Sequence, residues 1–275
     1  VNSLVNYYYM TMNGVVSGAG SLVKTENGAL TLNGANTYSG GITVNAGTLF
    51  GGAGSQSRTA FGSGDVTVNA GATLWIDRAT VNNNLFLNSA ILQGTNGFGE
   101  VLNGNITLTG TVEFKAGSYM NVNGVVNGTG AILKTDNGRL TLSGANTYSG
   151  LTTINAGRIV VSNNTGLGST AAGTIVASGT TLDLYNVAVG NEEVTLNGGT
   201  LKDVTSSLAG NVILTANSTI STNSGDTLTL TGVVSGAYGI TRTGAGTLVL
   251  ENANTYTGTT TVTAGTLNVT GTLSD

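Results

Sequence analysis

The sequence predicts an all-β chain folded as a parallel β-solenoid of about twelve coils, with little or no α-helix. Three observations support this prediction: one segment recurs at a fixed period, apolar and polar residues alternate at period two, and Gly and Asn turns come about every 8 to 12 residues. The alternation runs, for example, through Ile42-Thr43-Val44, and it is typical of strands that bury one face. No stretch combines an apolar helical periodicity with helix caps, so helices are expected to be scarce.

The recurring segment reads LTLNGANTYSGGITVNAGTL at residues 30–49 and returns at 140–159 and 248–267. A second matching segment precedes each copy, so the repeating unit is about 110 residues long. We expect one continuous solenoid domain over residues 1–275, as an excerpt of a longer chain, because both ends fall within a repeat. The predicted repeats cover residues 12–121, 122–229 and, in part, 230–275.

Each copy of the segment contains Asn-Thr-Tyr, a Gly two residues later, and an Ala-Gly turn. Asn and Gly supply the left-handed backbone conformations that sharp corners need, so we predict that these residues turn the solenoid. The period fits a whole number of coils, so equivalent residues are expected to lie on the same face about 24 Å apart. The predicted structural residues are Asn36, Thr37, Tyr38, Gly40, Gly47, Asn146, Thr147, Tyr148, Gly150, Gly157, Asn254, Thr255, Tyr256, Gly258 and Gly265.

A sandwich or barrel of antiparallel hairpins is the alternative to the solenoid. The composition favours the solenoid, because its narrow interior admits branched aliphatic side chains more easily than rings, and aromatic residues are only 5% of this chain. The absence of proline fits strands that are paired on both sides. With coils of roughly 20 to 25 residues, the rod is predicted to be roughly 55 to 65 Å long.

The run from Gly28 to Leu49 resembles the passenger-associated transport repeat of bacterial autotransporter passenger domains. The resemblance rests on the Leu-Thr-Leu strand, Asn36-Thr37-Tyr38, Gly40 and the Ala-Gly-Thr-Leu sequence, and it holds for all three copies. Departures are few: Arg158 replaces the usual Thr, and Tyr238 interrupts the third glycine run. The resemblance implies a right-handed β-helix that type V secretion carries to the bacterial cell surface or beyond. It also implies an N-terminal signal peptide and a C-terminal outer-membrane barrel outside these residues.

Catalytic chemistry has few candidates in this sequence. Histidine and cysteine are absent, which excludes Ser-His-Asp and Cys-His arrangements and thiolate metal sites. The acidic residues are scattered, and the adjacent pair Glu192-Glu193 is interpreted as solvated loop charge. The repeated cation and acid at Lys24 and Glu26 are interpreted as an exposed pair of small energetic value. We therefore predict no catalytic, cofactor-binding or metal-binding residues and no enzyme activity.

Function is predicted to be structural: a stalk or scaffold segment of an exported passenger, with repeats that aid coil-by-coil folding and secretion. A self-assembling extracellular fibre is the alternative, and a carbohydrate-active β-helix enzyme ranks below it. Expected partners are a host-surface or glycan ligand, or other copies joined end to end. With a net charge of −4 and no basic patch, nucleic acid is not expected. Membrane contact is expected only through the absent C-terminal barrel, and the sequence identifies no ligand-binding residues.

Overall fold

The computed structural model describes residues 8–52, 59–97 and 99–274. All regular elements in these ranges are strands, and the described part contains no helix long and apolar enough to cross a membrane. The strands pair in parallel ladders, such as Tyr9 with Ala29 and Ala29 with Thr48. They form a β-solenoid of about thirteen turns, against about twelve predicted. Each turn takes about 20 residues and contributes to three faces.

Face I is a 12-stranded sheet, continued at its C-terminal end by a two-stranded sheet. Its strands are β1 (Tyr9–Met12), β3 (Ala29–Leu32), β5 (Thr48–Gly51), β7 (Thr73–Ile76), β10 (Ile91–Gly94), β13 (Thr111–Lys115), β16 (Ala131–Thr135), β18 (Thr152–Ile154), β20 (Thr174–Ala177), β23 (Val194–Asn197), β26 (Val212–Ala216) and β29 (Val234–Gly236), followed by β32 (Ala253–Asn254) and β35 (Thr272–Leu273).

Face II is a 10-stranded sheet that the chain enters after the face I strands from β7 onwards. Its strands are β8 (Thr80–Val81), β11 (Gly99–Leu102), β14 (Tyr119–Val122), β17 (Arg139–Leu142), β19 (Arg158–Val161), β21 (Thr181–Tyr185), β24 (Thr200–Val204), β27 (Ser218–Thr222), β30 (Ile240–Thr243) and β33 (Thr260–Val262).

Face III completes each turn and is divided into a six-stranded and a five-stranded sheet. Its strands are β2 (Leu22–Lys24), β4 (Ile42–Val44), β6 (Val66–Val68), β9 (Leu85–Asn88), β12 (Ile106–Thr109) and β15 (Val126–Gly128), then β22 (Ala188–Val189), β25 (Ser206–Leu208), β28 (Thr227–Leu230), β31 (Thr247–Leu250) and β34 (Thr266–Val269).

The interior is built from aliphatic columns that run along the axis. Leu30, Leu49, Leu74 and Leu92 stack in register on face I, and all four are buried. Period-two alternation turns every second residue inward, which is why branched aliphatics at alternate positions fill a narrow core. Each buried side chain of this kind contributes about 1.5 to 3 kcal/mol. Because every turn repeats this contribution, the core extends with length rather than width.

The three Asn-Thr-Tyr segments lie on three different faces. Tyr38 is on face II, between β3 and β4; Tyr148 is on face III, between β17 and β18; Tyr256 is on face I, between β31 and β33. The repeat period is therefore five and one-third turns, or about 26 Å along the axis. The prediction that equivalent residues share a face is wrong, because about 110 residues hold five turns of about 20 and one further side.

Candidate functional site

The Asn-Thr-Tyr segment forms one side of a coil. Ladder bonds join it to both neighbours: the N–H of Thr37 donates to the carbonyl of Val16 (2.9 Å), and the N–H of Ser63 donates to the carbonyl of Tyr38 (3.0 Å). Asn36 and Tyr38 are buried, while Thr37 between them is exposed, as in a strand. The prediction that this segment is a corner is therefore wrong: its side chains alternate inward and outward along a face.

Asn36 links three successive coils through its side-chain amide. Its Oδ1 accepts from the N–H of Val16 in the coil before (2.8 Å), and its Nδ2 donates to the carbonyl of Ala60 in the coil after (2.7 Å). Both amide groups are thus satisfied inside the wall, where an unpaired polar atom would be costly. The same bonds recur as Asn146 with Val126 N (2.8 Å) and Gly166 O (2.7 Å), and as Asn254 with Val234 N (2.9 Å) and Thr272 O (3.3 Å).

The three tyrosines fill the interior, and two of them share a hydrogen bond with a threonine four residues later. The hydroxyl oxygens of Tyr148 and Thr152 are 2.7 Å apart, and those of Tyr256 and Thr260 are 2.6 Å apart. All three rings are at most 3% exposed, so they do not form an aromatic ladder on the surface that could stack on sugars.

Tyr38 differs from the other two tyrosines in its hydroxyl. Ile42 occupies the position of the threonine, and among the described residues the buried Tyr38 hydroxyl has no partner. Burial raises the pKa of Tyr38 to about 12. The tyrosine hydroxyl therefore lacks a hydrogen bond in the first repeat, whereas in the other two repeats it has one.

Two phenylalanine variants test this difference. We expect Tyr148→Phe to lower the free energy of unfolding by about 1 kcal/mol, because the Thr152 hydroxyl loses its partner. Tyr38→Phe is expected to leave stability unchanged or raise it, since it removes a buried hydroxyl without a partner. Urea denaturation of both variants checks the pair. Equal losses in the two variants would show that the hydroxyl bond contributes nothing.

Glycine is required at the motif positions for two reasons, close contact between coils and backbone conformation. A Cβ on Gly150 would lie 2.3 Å from the carbonyl oxygen of Gly130 in the preceding coil, and Gly40 and Gly258 approach backbone atoms as closely. Gly157 approaches the carbonyl oxygen of Gly138 as closely and also has φ of +66°, a conformation that residues with a Cβ rarely adopt; Gly47 and Gly265 share both features. All six motif glycines thus allow coils to meet, and those at 47, 157 and 265 also allow the chain to turn.

The repeated cation is buried rather than exposed, so its interpretation as a surface pair is wrong for the second and third repeats. Lys134 is fully buried, and its Nζ donates to the carbonyls of Asp136 (2.6 Å) and Ala156 (3.3 Å). Burial lowers the pKa of Lys134 to about 8, against the opposing charge of Asp136. Lys24, which is partly buried, donates in the same way to the carbonyl of Ala46 (3.0 Å). The cation therefore binds the Asn-Ala-Gly turn of its own repeat.

Arg242 takes the equivalent position in the third repeat and is also fully buried. Its guanidinium donates to the carbonyl of Gly246 (2.6 Å) and to the hydroxyl of Thr222 (2.5 Å). Burial lowers the pKa of Arg242. Sequence reasoning missed this burial, although the cation stands at an inward position of the strand alternation, because a charge was assumed to face solvent.

Four carboxylates are also buried, at Glu100, Asp183, Glu192 and Asp203. Glu192 accepts from the Thr174 hydroxyl (2.9 Å) through one oxygen, and its other oxygen has no partner among the described residues. Burial raises the pKa of Glu192 to about 7 and that of Asp203 to about 6. The interpretation of Glu192 as solvated charge is therefore wrong, although its neighbour Glu193 is exposed. The described residues contain no group of three or more side chains that could hold a metal ion.

Three stretches of the chain, residues 22–49, 132–161 and 240–269, match the family described as passenger-associated-transport-repeat. Each match includes one Asn-Thr-Tyr segment with its bridging asparagine. The chain carries three passenger-associated transport repeats. The family match does not extend to the coils between these stretches.

The adhesin BmaC autotransporter of Brucella suis biovar 1 (strain 1330) is similar to this chain. The alignment spans 262 residues at 31% identity and covers 90% of this chain and 7% of the relative. No solved structure matches the chain. The resemblance to autotransporter passenger domains is confirmed, and the relative and the repeat family are described as adhesin and passenger proteins rather than as enzymes. The passenger-associated transport repeats thus coincide with the segments that join three coils.

Proposed function

We propose that the chain is a scaffold segment of an autotransporter passenger, exported to the bacterial surface or secreted, whose repeats promote coil-by-coil folding. The observation that carries this proposal is the buried asparagine of each repeat, which binds the coil before it and the coil after it. A solenoid coil needs only its neighbour to fold, so a side chain that links three coils favours ordered growth of the rod.

The chemistry of the chain suits this route. With no cysteine, no disulfide can form in an oxidising compartment and obstruct an unfolded chain before it crosses a pore. Once the coil that contains Asn146 has folded, its Nδ2 has no acceptor until the next coil supplies the carbonyl of Gly166. Folding of the coil that contains Gly166 satisfies that donor, so this bond favours growth of the rod at one step in each repeat.

The proposal treats the rod as a non-enzymatic spacer. Its described residues contain no group of three or more side chains that could hold a metal ion. A rod of about thirteen turns has a length of about 60 Å. Within a surface adhesin, the rod would separate a binding region from the rest of the protein by that distance. The rod itself would catalyse no reaction.

Asn146→Ala in the full-length parent protein tests the proposal. We expect less passenger at the cell surface, because the buried N–H of Val126 and the carbonyl of Gly166 both lose their partner. Asn123→Ala is the matched control: it removes an exposed asparagine that bonds only to Asn103 on the surface (3.0 Å). Surface protein is measured by protease accessibility on intact cells. Undiminished display of Asn146→Ala would overturn the proposed role in folding and export.

A further inference from the structure

Tyr119, Arg139 and Arg158 form a column on the outside of face II. They are the first residues of β14, β17 and β19, and the register pairs Tyr119 with Arg139 and Arg139 with Arg158. Adjacent strands lie about 4.8 Å apart, so the two arginine backbones are direct neighbours. The Arg139 guanidinium lies over the ring of Tyr119, with Cζ 5.6 Å from the ring centroid. The ring thus holds the Arg139 guanidinium in place beside Arg158.

Neither arginine of this column has an acidic partner in residues 8–52, 59–97 and 99–274. The ion pairs in this part of the chain join other residues, and the nearby Asp183 is held by Lys202 (3.4 Å). The Nε of Arg139 is buried and has no hydrogen-bond partner there. Two like charges that stand directly opposite each other on neighbouring strands destabilise a sheet. The pair therefore costs stability, and no acidic side chain within the described residues offsets this cost.

The equivalent positions of the other repeats show that the fold does not need this pair. Ala29 and Thr48 stand there in the first repeat, and Thr247 and Thr266 in the third, stacked in the same register. Both arginines thus depart from the repeat at two positions that meet in space. Because the repeat period adds one-third of a turn, the second repeat presents this column on face II, whereas the first repeat presents its own on face I.

The column borders a cleft of about 350 Å³. Besides the two arginines, Ser118, Asn137 and Thr181 line this cleft and present hydroxyl and amide groups. Paired guanidinium groups match the oxygens of a carboxylate or sulfate, while hydroxyl and amide groups match sugar hydroxyls. The cleft therefore fits an acidic sugar, with its acidic group on the two arginines and its hydroxyls on the neutral side chains.

We propose that Arg139 and Arg158 bind the carboxylate or sulfate group of an acidic polysaccharide in this cleft. Tyr119 is a positioning residue, because it orients the Arg139 guanidinium. This inference goes beyond the proposed scaffold function: it gives the rod a ligand-binding surface that is not part of the family repeat pattern.

Binding of polygalacturonate and dextran sulfate to the 275-residue chain tests this inference. The test variant is Arg139→Thr/Arg158→Thr, which installs a residue that other repeats carry at these positions and so preserves folding. We expect isothermal titration calorimetry at low salt to detect at least one of the two polymers, with an affinity that is at least about tenfold lower for the variant. Neutral dextran should not bind. The polymer that binds identifies the acidic group as carboxylate or sulfate.

Lys115→Thr/Lys202→Thr is the matched control, because it removes the same net charge from cations that already pair with Glu113 and Asp183. We expect this control to bind like the wild type. Addition of the bound polymer should raise the Tm of the wild type and the control, but not that of the arginine variant. Equal losses in both variants, unchanged binding by the arginine variant, no binding of either polymer, or equal retention on vesicles of anionic lipid would overturn the proposal.

Discussion

Glu192→Gln is expected to raise the free energy of unfolding by about 3 kcal/mol near pH 8 and to change it little near pH 4. Glu192 is only 3% exposed, and burial raises its pKa from 4.5 to about 7. The folded chain therefore retains this proton between about pH 4.5 and 7, where the unfolded chain has lost it. Stability from this group is greatest below pH 4.5 and decreases as the pH rises through 7. Glutamine resembles the protonated acid at every pH, so it removes the decrease.

Asp203 shifts stability in the same direction. It is fully buried, and its pKa rises from 3.8 to about 6, mainly because of burial. The wild-type chain should thus be most stable in mildly acidic solution, whereas the usual maximum lies between about pH 5 and 8. Urea midpoints at pH 4, 5.5 and 8 measure the profile. Glu193→Gln, a change at the exposed neighbour, is the control, and a Glu192→Gln profile parallel to that of the wild type would refute the prediction.

The strands were predictable because their signal is local. Ile42–Val44 was predicted from alternation and turns alone, and it forms β4 with the same bounds. Parallel pairing followed from the repeat, since identical coils stack most simply in register. The faces were not predictable, because they depend on how many residues each corner takes. One additional side in a unit of about 110 residues rotates the next repeat by one-third of a turn, and no local pattern reports that count.

The sequence predicted which residues form the candidate site better than it predicted what those residues do. Recurrence singled out Asn36, Tyr38 and Gly40, and the structure places the first two inside the wall. Their partners, such as Ala60, lie in the neighbouring coil, about 20 residues away along the chain. The sequence alone does not show that such residues are in contact. For the same reason Lys134 was misplaced: its partners are backbone carbonyls, which every residue carries and no sequence pattern distinguishes.

Gly150→Ala is expected to lower the free energy of unfolding by about 3 kcal/mol, although alanine adds a single methyl group. The added Cβ would lie 2.3 Å from the carbonyl oxygen and 2.4 Å from the carbonyl carbon of Gly130. Both atoms are backbone, so no side-chain rotation relieves the clash, and the two coils must separate. Such a separation also strains the neighbouring ladder bond from the N–H of Ser149 to the carbonyl of Gly128 (3.0 Å).

Gly190→Ala is the matched control, because its added Cβ would meet no atom within 4 Å. There we expect no loss and a small gain, since alanine restricts the unfolded chain. Urea denaturation of both variants shows whether the recurring glycine is required for the stacking of neighbouring coils. If both variants are as stable as the wild type, the coils can yield at this contact, and the glycine of the Asn-Thr-Tyr segment is not required for stacking. A loss confined to Gly150→Ala would mean that each repeat holds its neighbours at a fixed distance through a residue that must lack a side chain.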